Sequence, residues 1–124
     1  VEQDDGLIGI GASCGGEAAC FIIEQHLAML VEGQSVKNIT YLWEMMWRAS
    51  IHYSRKGVGV HAISAVDIAL HDAVSKALDV PLHQLLGGAQ RDFCPCFVTP
   101  VATPMGPGLI EEVQLLQGFR GCRV

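Results

Sequence analysis

The side chains able to do chemistry are thinly spread along this chain of 124 residues. Its five histidines are His26, His52, His61, His71 and His83. None has a second histidine four residues away, and no HExxH occurs, so the one-face spacing of a helical zinc site is missing. His61 and His71 share one predicted helix. They stand nearly three turns, roughly 15 Å, apart along it, too far to share an ion. These histidines read as helix-surface or interface residues, with a single general acid or base as the alternative. Asp67 and Asp72 are five residues apart, which puts them on different faces of a helix. That is poor geometry for a common divalent cation. Ion pairing on the helix surface, or capping of a neighbour, suits them better. Glu111-Glu112 near a predicted helix start complements the helix dipole.

Cysteines fall at Cys14, Cys20, Cys94, Cys96 and Cys122. An odd number at irregular spacing fits reduced thiols better than a disulfide framework. Cys94-Pro95-Cys96 is one residue short of a redox CxxC pair. Arg123 adjoins Cys122, but nothing else in the sequence would activate a thiol. There is no GxSxG, no Cys/His dyad and no zinc spacing. Gly9-x-Gly11 and Gly15-Gly16 invite comparison with a phosphate cradle. A dinucleotide fingerprint, however, opens a helix inside a βαβ unit. Here the glycines flank a predicted hairpin.

Composition narrows the field further. The net charge is −5, and the densest basic spot is Ser54-Arg55-Lys56. No basic run exists to neutralise phosphates, so nucleic acid is not expected as a partner. Half the residues are hydrophobic, which predicts a packed globule. No apolar run reaches membrane-spanning length, and no membrane partner is expected. The acidic start, Val1-Glu2-Gln3-Asp4-Asp5, does not resemble a signal peptide. A cytoplasmic protein is the expectation. The absence of an initiator methionine hints at a piece of a longer protein.

The elements that must position these residues centre on the stretch His61 to Gly87. Ala62, Ala65, Val66, Ala69, Leu70, Ala73, Val74, Ala77 and Leu78 recur with the period of one helix face. Most are alanine, so the helix is expected to lie backbone-close against a neighbour. Ser64, Asp67, His71 and Ser75 fall on other sides. Val80 precedes Pro81 and should end the helix. Pro81 suits the first position of a short second helix. Leu82, Leu85 and Leu86 would give it a buried side, and Gly87-Gly88 would stop it.

Upstream, Val1 to Ala12 reads as two short strands around Asp4-Asp5-Gly6, a hairpin signal. Gly9 and Gly11 would let something approach the second strand closely. Ser13 to Gly16 is a predicted loop. Glu17 opens a helix buried through Ala19, Ile22, Ile23, Leu27 and Leu30, and Gly33 ends it. Asn38 is a plausible N-cap for the next helix, with Leu42, Met45, Met46 and Ala49 inward. Trp43 and Trp47 lie on another side, available to a neighbouring domain or subunit. A loop runs from Ile51 to Gly59. Downstream, Phe93 to Thr99 reads as a strand, Leu109 to Gln117 as a helix and Gly118 to Val124 as a strand. That order opens a parallel α/β arrangement.

The central stretch also carries a resemblance. Ala62-x-Ser64-Ala65-Val66-Asp67-x-Ala69-Leu70-x-Asp72, then Lys76, Pro81-Leu82 and Leu85-Leu86-Gly87, is similar to the end of an N-terminal capping domain. The domain is that of the mandelate racemase/muconate-lactonizing branch of the enolase superfamily. Ser75 departs from it, since glycine or alanine is usual there. GGEAACFIIEQHLAMLVEG and RKGVGVHAIS resemble the acid-sugar dehydratases of that branch. The resemblance implies an α+β fold in two parts. Residues 1–90 would be a capping domain lacking its first strand, a β-hairpin/meander followed by a helical bundle. Residues 91–124 would be the first strand–helix–strand of an incomplete (β/α) barrel.

The resemblance further implies a Mg²⁺-dependent lyase that removes the proton α to a carboxylate and expels a β-hydroxyl. Carboxylates at the ends of barrel strands hold the metal in full-length relatives. The catalytic base and those ligands would all follow Val124. Arg123 would lie near where many members begin a lysine-containing motif on the second strand. No catalytic residue and no metal ligand is therefore nominated, and this chain alone is expected to bind no Mg²⁺ and to be inactive. Ser13, Cys14, Gly15, Gly16 and Glu17 occupy the place of a loop that folds over the barrel mouth and contacts substrate. A purely structural turn is an equal reading. Implied partners are a sugar-acid substrate and further copies in a homo-oligomer. The alternative is a truncated, non-catalytic interaction module of the same family.

Overall fold

A computed structural model of the chain describes residues 1–4, 6–91 and 93. The chain divides into two compact units, Val1–Gly88 and Ala89–Val124. Almost all described residues belong to the first unit. The expected strand–helix–strand between 93 and 124 lies outside the described residues, apart from exposed Phe93.

The first unit is a helical group with an extended N-terminal arm. Its helices are α1 (Gly16–Ile22), α2 (Ala28–Val31), α3 (Ile39–Ser50), α4 (Val58–Ala77) and α5 (Leu82–Leu85), and a π turn at Ile23–Leu27 joins α1 to α2. The long helix α4 is the hub, and two adjoining stripes of it are buried. One stripe, Ala62, Ile63, Val66 and Leu70, enters a core with Ala19, Leu27, Leu42 and Met46. The other, Ala65, Ala69 and Ala73, is buried too. It lies about 60° round the helix and takes the arm.

The arm explains the alanines. It folds back on itself, with Glu2 opposite Ile8 in an antiparallel bridge. Gly9 N–H donates to Val1 O at 2.8 Å, and Gln3 N–H donates to Leu7 O at 3.0 Å. Gly6, at φ 81°, closes the turn by donating to Gln3 O at 2.9 Å. Beyond Gly9 the chain runs along α4. A Cβ on Gly9 would overlap the Ala69 carbonyl and stand 2.7 Å from Ala73 Cβ. A Cβ on Gly11 would overlap the Ala65 carbonyl and stand 2.7 Å from Ala69 N. Here backbone meets backbone, as the alanine stripe and the two glycines lead one to expect. The expected pair of regular strands is reduced to a single bridge among the described residues. Pairing within the arm stops because residues 8 to 11 use their outward groups and their missing side chains on α4 instead.

Three local features differ from the pattern reading. First, α4 begins at Val58, ahead of His61, and ends at Ala77. Asp79 takes φ 52°. Its N–H donates to Lys76 O at 3.1 Å, and Val80 N–H donates to Ser75 O at 3.0 Å. This paired closure of the last carbonyls is a Schellman stop built on aspartate. The helix thus ends before the Val80-Pro81 junction that was expected to end it. Ser75 is buried within α4, its hydroxyl satisfied by Asp72 O at 2.9 Å.

Second, the helix expected to start at Glu17 contains the π turn. In an unbroken α-helix, Ala19 and Leu27 would be offset by about 80°. The π turn holds an extra residue and removes about that much, so both side chains reach the same core. Ile22, Ile23 and Leu30 pack at its edge. Third, Pro81 is the cap of α5 and not its first residue. Leu82 and Leu85 are half-buried, whereas Leu86 is 66% exposed.

Helix α3 buries Leu42, Met46 and Ser50 on one line, with Met45 and Trp47 packed at the side. The Ser50 hydroxyl donates to Met46 O at 2.8 Å, which makes its burial tolerable. Ala49 is half-buried. Asn38 caps α3 by position, its carbonyl accepting from Leu42 N–H at 2.9 Å, without a side-chain bond. Trp43 and Trp47 stack, ring centroids 5.5 Å apart and 11° from parallel.

Because the backbones meet at Gly11, Gly11→Ala is expected to lower stability by about 1–3 kcal/mol through overpacking. The measurement is the urea midpoint at unchanged slope. Ala12→Ser, at the next and exposed position, stays within about 0.5 kcal/mol. Equal midpoints for the two variants would refute the close approach.

Candidate functional site

Ser13, Cys14, Gly15, Gly16 and Glu17 lie together where the arm passes into α1. Ser13, Cys14, Gly16 and Glu17 are exposed, and Gly15 is half-buried. Gly16 sits at φ 57° with open space around the missing side chain. Gly15 touches Ala19 of α1, and a Cβ on it would stand 3.2 Å from His61 Cβ at the start of α4. Ala19 N–H donates to Gly15 O at 3.2 Å, which fixes the end of the loop to the first turn of α1. Glu17 lies in that turn, at the positive end of the helix. The loop therefore offers a hydroxyl, a thiol and a carboxylate to solvent over a stretch with two glycines.

The carboxylates of α4 are kept apart. Asp67 faces His71, its Oδ1 3.6 Å from Nδ1. His71 Nδ1 is also 2.9 Å from Asp67 O, which assigns the Nδ1 proton to that carbonyl. Asp72 turns to the arm. Ile10 N–H donates to its Oδ2 at 2.8 Å. Lys76 Nζ donates to the same oxygen at 2.7 Å and to Ile8 O at 2.9 Å. These are ion-pair and neighbour-capping roles, as the five-residue spacing suggested. The Asp72 carboxyl is held below its ordinary 3.8 by the hydrogen bond from Lys76, then by the bond from Ile10 N–H.

The remaining histidines do not converge. His26 Nδ1 bonds the Tyr53 hydroxyl, tying the π turn to the segment after α3. Burial raises the Tyr53 hydroxyl above its usual range. His61 lies under Gly15, a proximity that no spacing rule reveals. Among the described residues no three His, Cys, Asp or Glu side chains come together to hold a metal ion. The described residues do not fit a magnesium site. Cys14 and Cys20 are free and exposed. Cys94, Cys96, Glu111, Glu112, Cys122 and Arg123 lie outside the described residues. A cleft of about 870 Å³ beside the arm is lined by Val1, Gln3, Ile23, Leu27, Val31 and Val36 among others, and by none of the five loop residues. No helix among the described residues is long and apolar enough to cross a membrane.

The helical group on a back-folded arm is the fold of an enolase-superfamily N-terminal domain, and comparison agrees. Residues 1–87 match the N-terminal domain of the mandelate racemase/muconate lactonizing enzymes. The chain belongs to that family. It is 42% identical over 118 residues to an L-rhamnonate dehydratase of Saccharopolyspora erythraea, covering 95% of this chain and 29% of that protein. The crystal structure of L-rhamnonate dehydratase from Gibberella zeae superposes with a TM-score of 0.73 at 36% identity, over 79% of this chain and 25% of the other. A mandelate racemase/muconate lactonizing protein from Paracoccus denitrificans, complexed with magnesium, gives 0.74 at 31%, over 79% and 27%. The chain thus spans between a quarter and a third of the length of these relatives. A rhamnonate dehydratase from Gibberella zeae has likewise been solved complexed with Mg.

The sign of the Asp72 effect is testable. A carboxylate held low in the folded state stabilises it above its unfolded value and ceases to do so as pH falls through the folded one. Asp72→Ala is therefore expected to lower the melting temperature at neutral pH. The gap from the unsubstituted chain should close only below about pH 3.8. A gap of constant size from pH 7 to pH 2 would mean the carboxylate charge does not hold the arm.

Proposed function

We propose that this chain is the capping part of a magnesium-dependent acid-sugar dehydratase, of which L-rhamnonate is the first substrate to try. The observation that carries the reading is the 42% identity to an L-rhamnonate dehydratase across nearly the whole chain. In this reading residues 1–90 form the capping domain, and residues 91–124 begin the (β/α) barrel. The enzyme acts in the cytoplasm as a homo-oligomer.

The loop Ser13–Glu17 supplies what a cap must supply. Ser13 offers a hydroxyl and Glu17 a carboxylate to the hydroxyl groups of a sugar acid. Glu17 would repel the substrate carboxylate and so suits the far, polyol end. Gly16, with open space where a side chain would stand, keeps the backbone bare where it passes close to a bound molecule, while Gly15 seats the loop on Ala19 and His61. Closing such a loop over a site excludes water from the reacting carbon. In this reading no described residue takes the proton or holds the metal.

A second reading, a non-catalytic module that associates with another chain, has one feature in its favour. The stacked pair Trp43 and Trp47, with exposed Tyr41, leaves aromatic surface on α3.

The test is direct. The 124-residue chain with Mg²⁺ is expected to form no 2-keto-3-deoxy product from L-rhamnonate. A longer protein containing it is expected to do so, and to stop on adding a chelator. In that longer protein Glu17→Gln is expected to raise KM by about tenfold, the loss of roughly one charge-assisted hydrogen bond. Turnover by the 124-residue chain alone would refute the division of labour. A longer protein inert toward every sugar acid would refute the dehydratase reading.

A further inference from the structure

The arm meets α4 at a series of points that run in order. Ile8 O takes Lys76, Ile10 N–H takes Asp72, Gly9 and Gly11 lie on Ala73, Ala69 and Ala65, and Gly15 reaches His61. Between the last close approach at Gly11 and the next at Gly15, Ala12, Ser13 and Cys14 are exposed. The loop therefore hangs between two anchors. The later anchor is built into α1 through the Gly15 carbonyl. The earlier one is made from side chains of a helix more than sixty residues away in sequence.

We propose that Asp72, with Lys76 as its brace, is the positioning residue for the loop Ser13–Glu17. The proposal rests on the reading of that loop as the one that faces substrate. Asp72 is suited to the task. An amide hydrogen bond to a carboxylate is short and strong compared with a neutral one. The ammonium of Lys76, 2.7 Å away, holds that carboxylate in one rotamer. Lys76 also grips Ile8 O, so the pair seizes the arm on both sides of Gly9. Glycine contacts alone resist approach but do not fix sliding along the helix. A directional bond at Ile10 does, and Ser13 follows three residues later.

Exposed Cys14 and Cys20 supply the test. Two versions of the 124-residue chain carry one cysteine each, Cys14 in the loop or Cys20 on α1, the other cysteines replaced by serine. Each is labelled with a nitroxide and read by electron paramagnetic resonance without substrate. Asp72→Ala keeps a strong helix former in α4. It is expected to remove the slow-motion component at Cys14 and leave the Cys20 spectrum unchanged. Asp72→Asn, whose amide oxygen still accepts from Ile10, is expected to restore part of it. Lys76→Ala gives a second, milder route to the same loss, should Asp72→Ala fail to fold. Unchanged spectra at both sites would overturn the proposal. Equal narrowing at both would overturn it as well, because the helix would then be loosening with the loop. A longer protein that dehydrates nothing would refute the substrate reading yet leave this result standing.

Discussion

The contact between the arm and α4 sets the terms for the rest of the unit. Two residues of extended chain advance about 6.6 Å, and four residues of α-helix advance about 6.0 Å. A strand with glycine at alternate positions can therefore ride on a helix with alanine at every fourth. Gly9 and Gly11 do so on Ala65, Ala69 and Ala73. The near-match holds for a few steps only, and the contact is no longer than that. Because one stripe of α4 is spent on the arm, the helical core must be built on the adjoining stripe. The buried surface of α4 is broader than a single amphipathic face for that reason. Ile63 and Val66 look to the core, and Ala65 and Ala69 to the arm.

Much of this was written in the local sequence. Alanine at helical spacing and glycine at strand spacing each announce a close neighbour, and the two neighbours prove to be each other. The heptad-like run in α3 announces Leu42 and Met46. What escaped has a common physical character. A π turn depends on which core partners must be brought into phase, and 3.6-residue periodicity contains no sign of it. The stop at Asp79 depends on one backbone torsion that aspartate adopts less often than glycine. The proline two residues later is the stronger local stop signal, and it lies beyond the true end. Leu86 fits the apolar helix pattern, but α5 ends at Leu85 and Leu86, its C-cap, leaves the helical path and is exposed.

The site shows the same division. The loop from Ser13 to Gly16 was legible as a loop because two glycines end it, although α1 already begins at Gly16. The partner of Asp72 was not, since Ile10 is 62 residues distant in sequence. The spacing argument pointed Asp72 to ion pairing or to capping a neighbour, and could not say which neighbour. His61 under Gly15 was likewise invisible. Its place follows from the direction in which the arm travels along α4, and direction is a property of the fold, not of any local window.

In the proposed reading the loop closes on a ligand, and such a loop faces two opposed demands. It needs few buried contacts, so that opening costs little. It also needs a defined starting position, so that closing does not forfeit much conformational entropy. Exposed Ser13 and Cys14 meet the first demand. Fixed points just before and just after meet the second, and they are of different kinds. The later one is helix backbone, which opens only with α1. The earlier one is a charge-assisted bond between exposed groups, open to water and salt. Of the two ends, the arm side is therefore the softer, and motion of the loop should begin at Gly11 and Ala12 and spread toward Gly15.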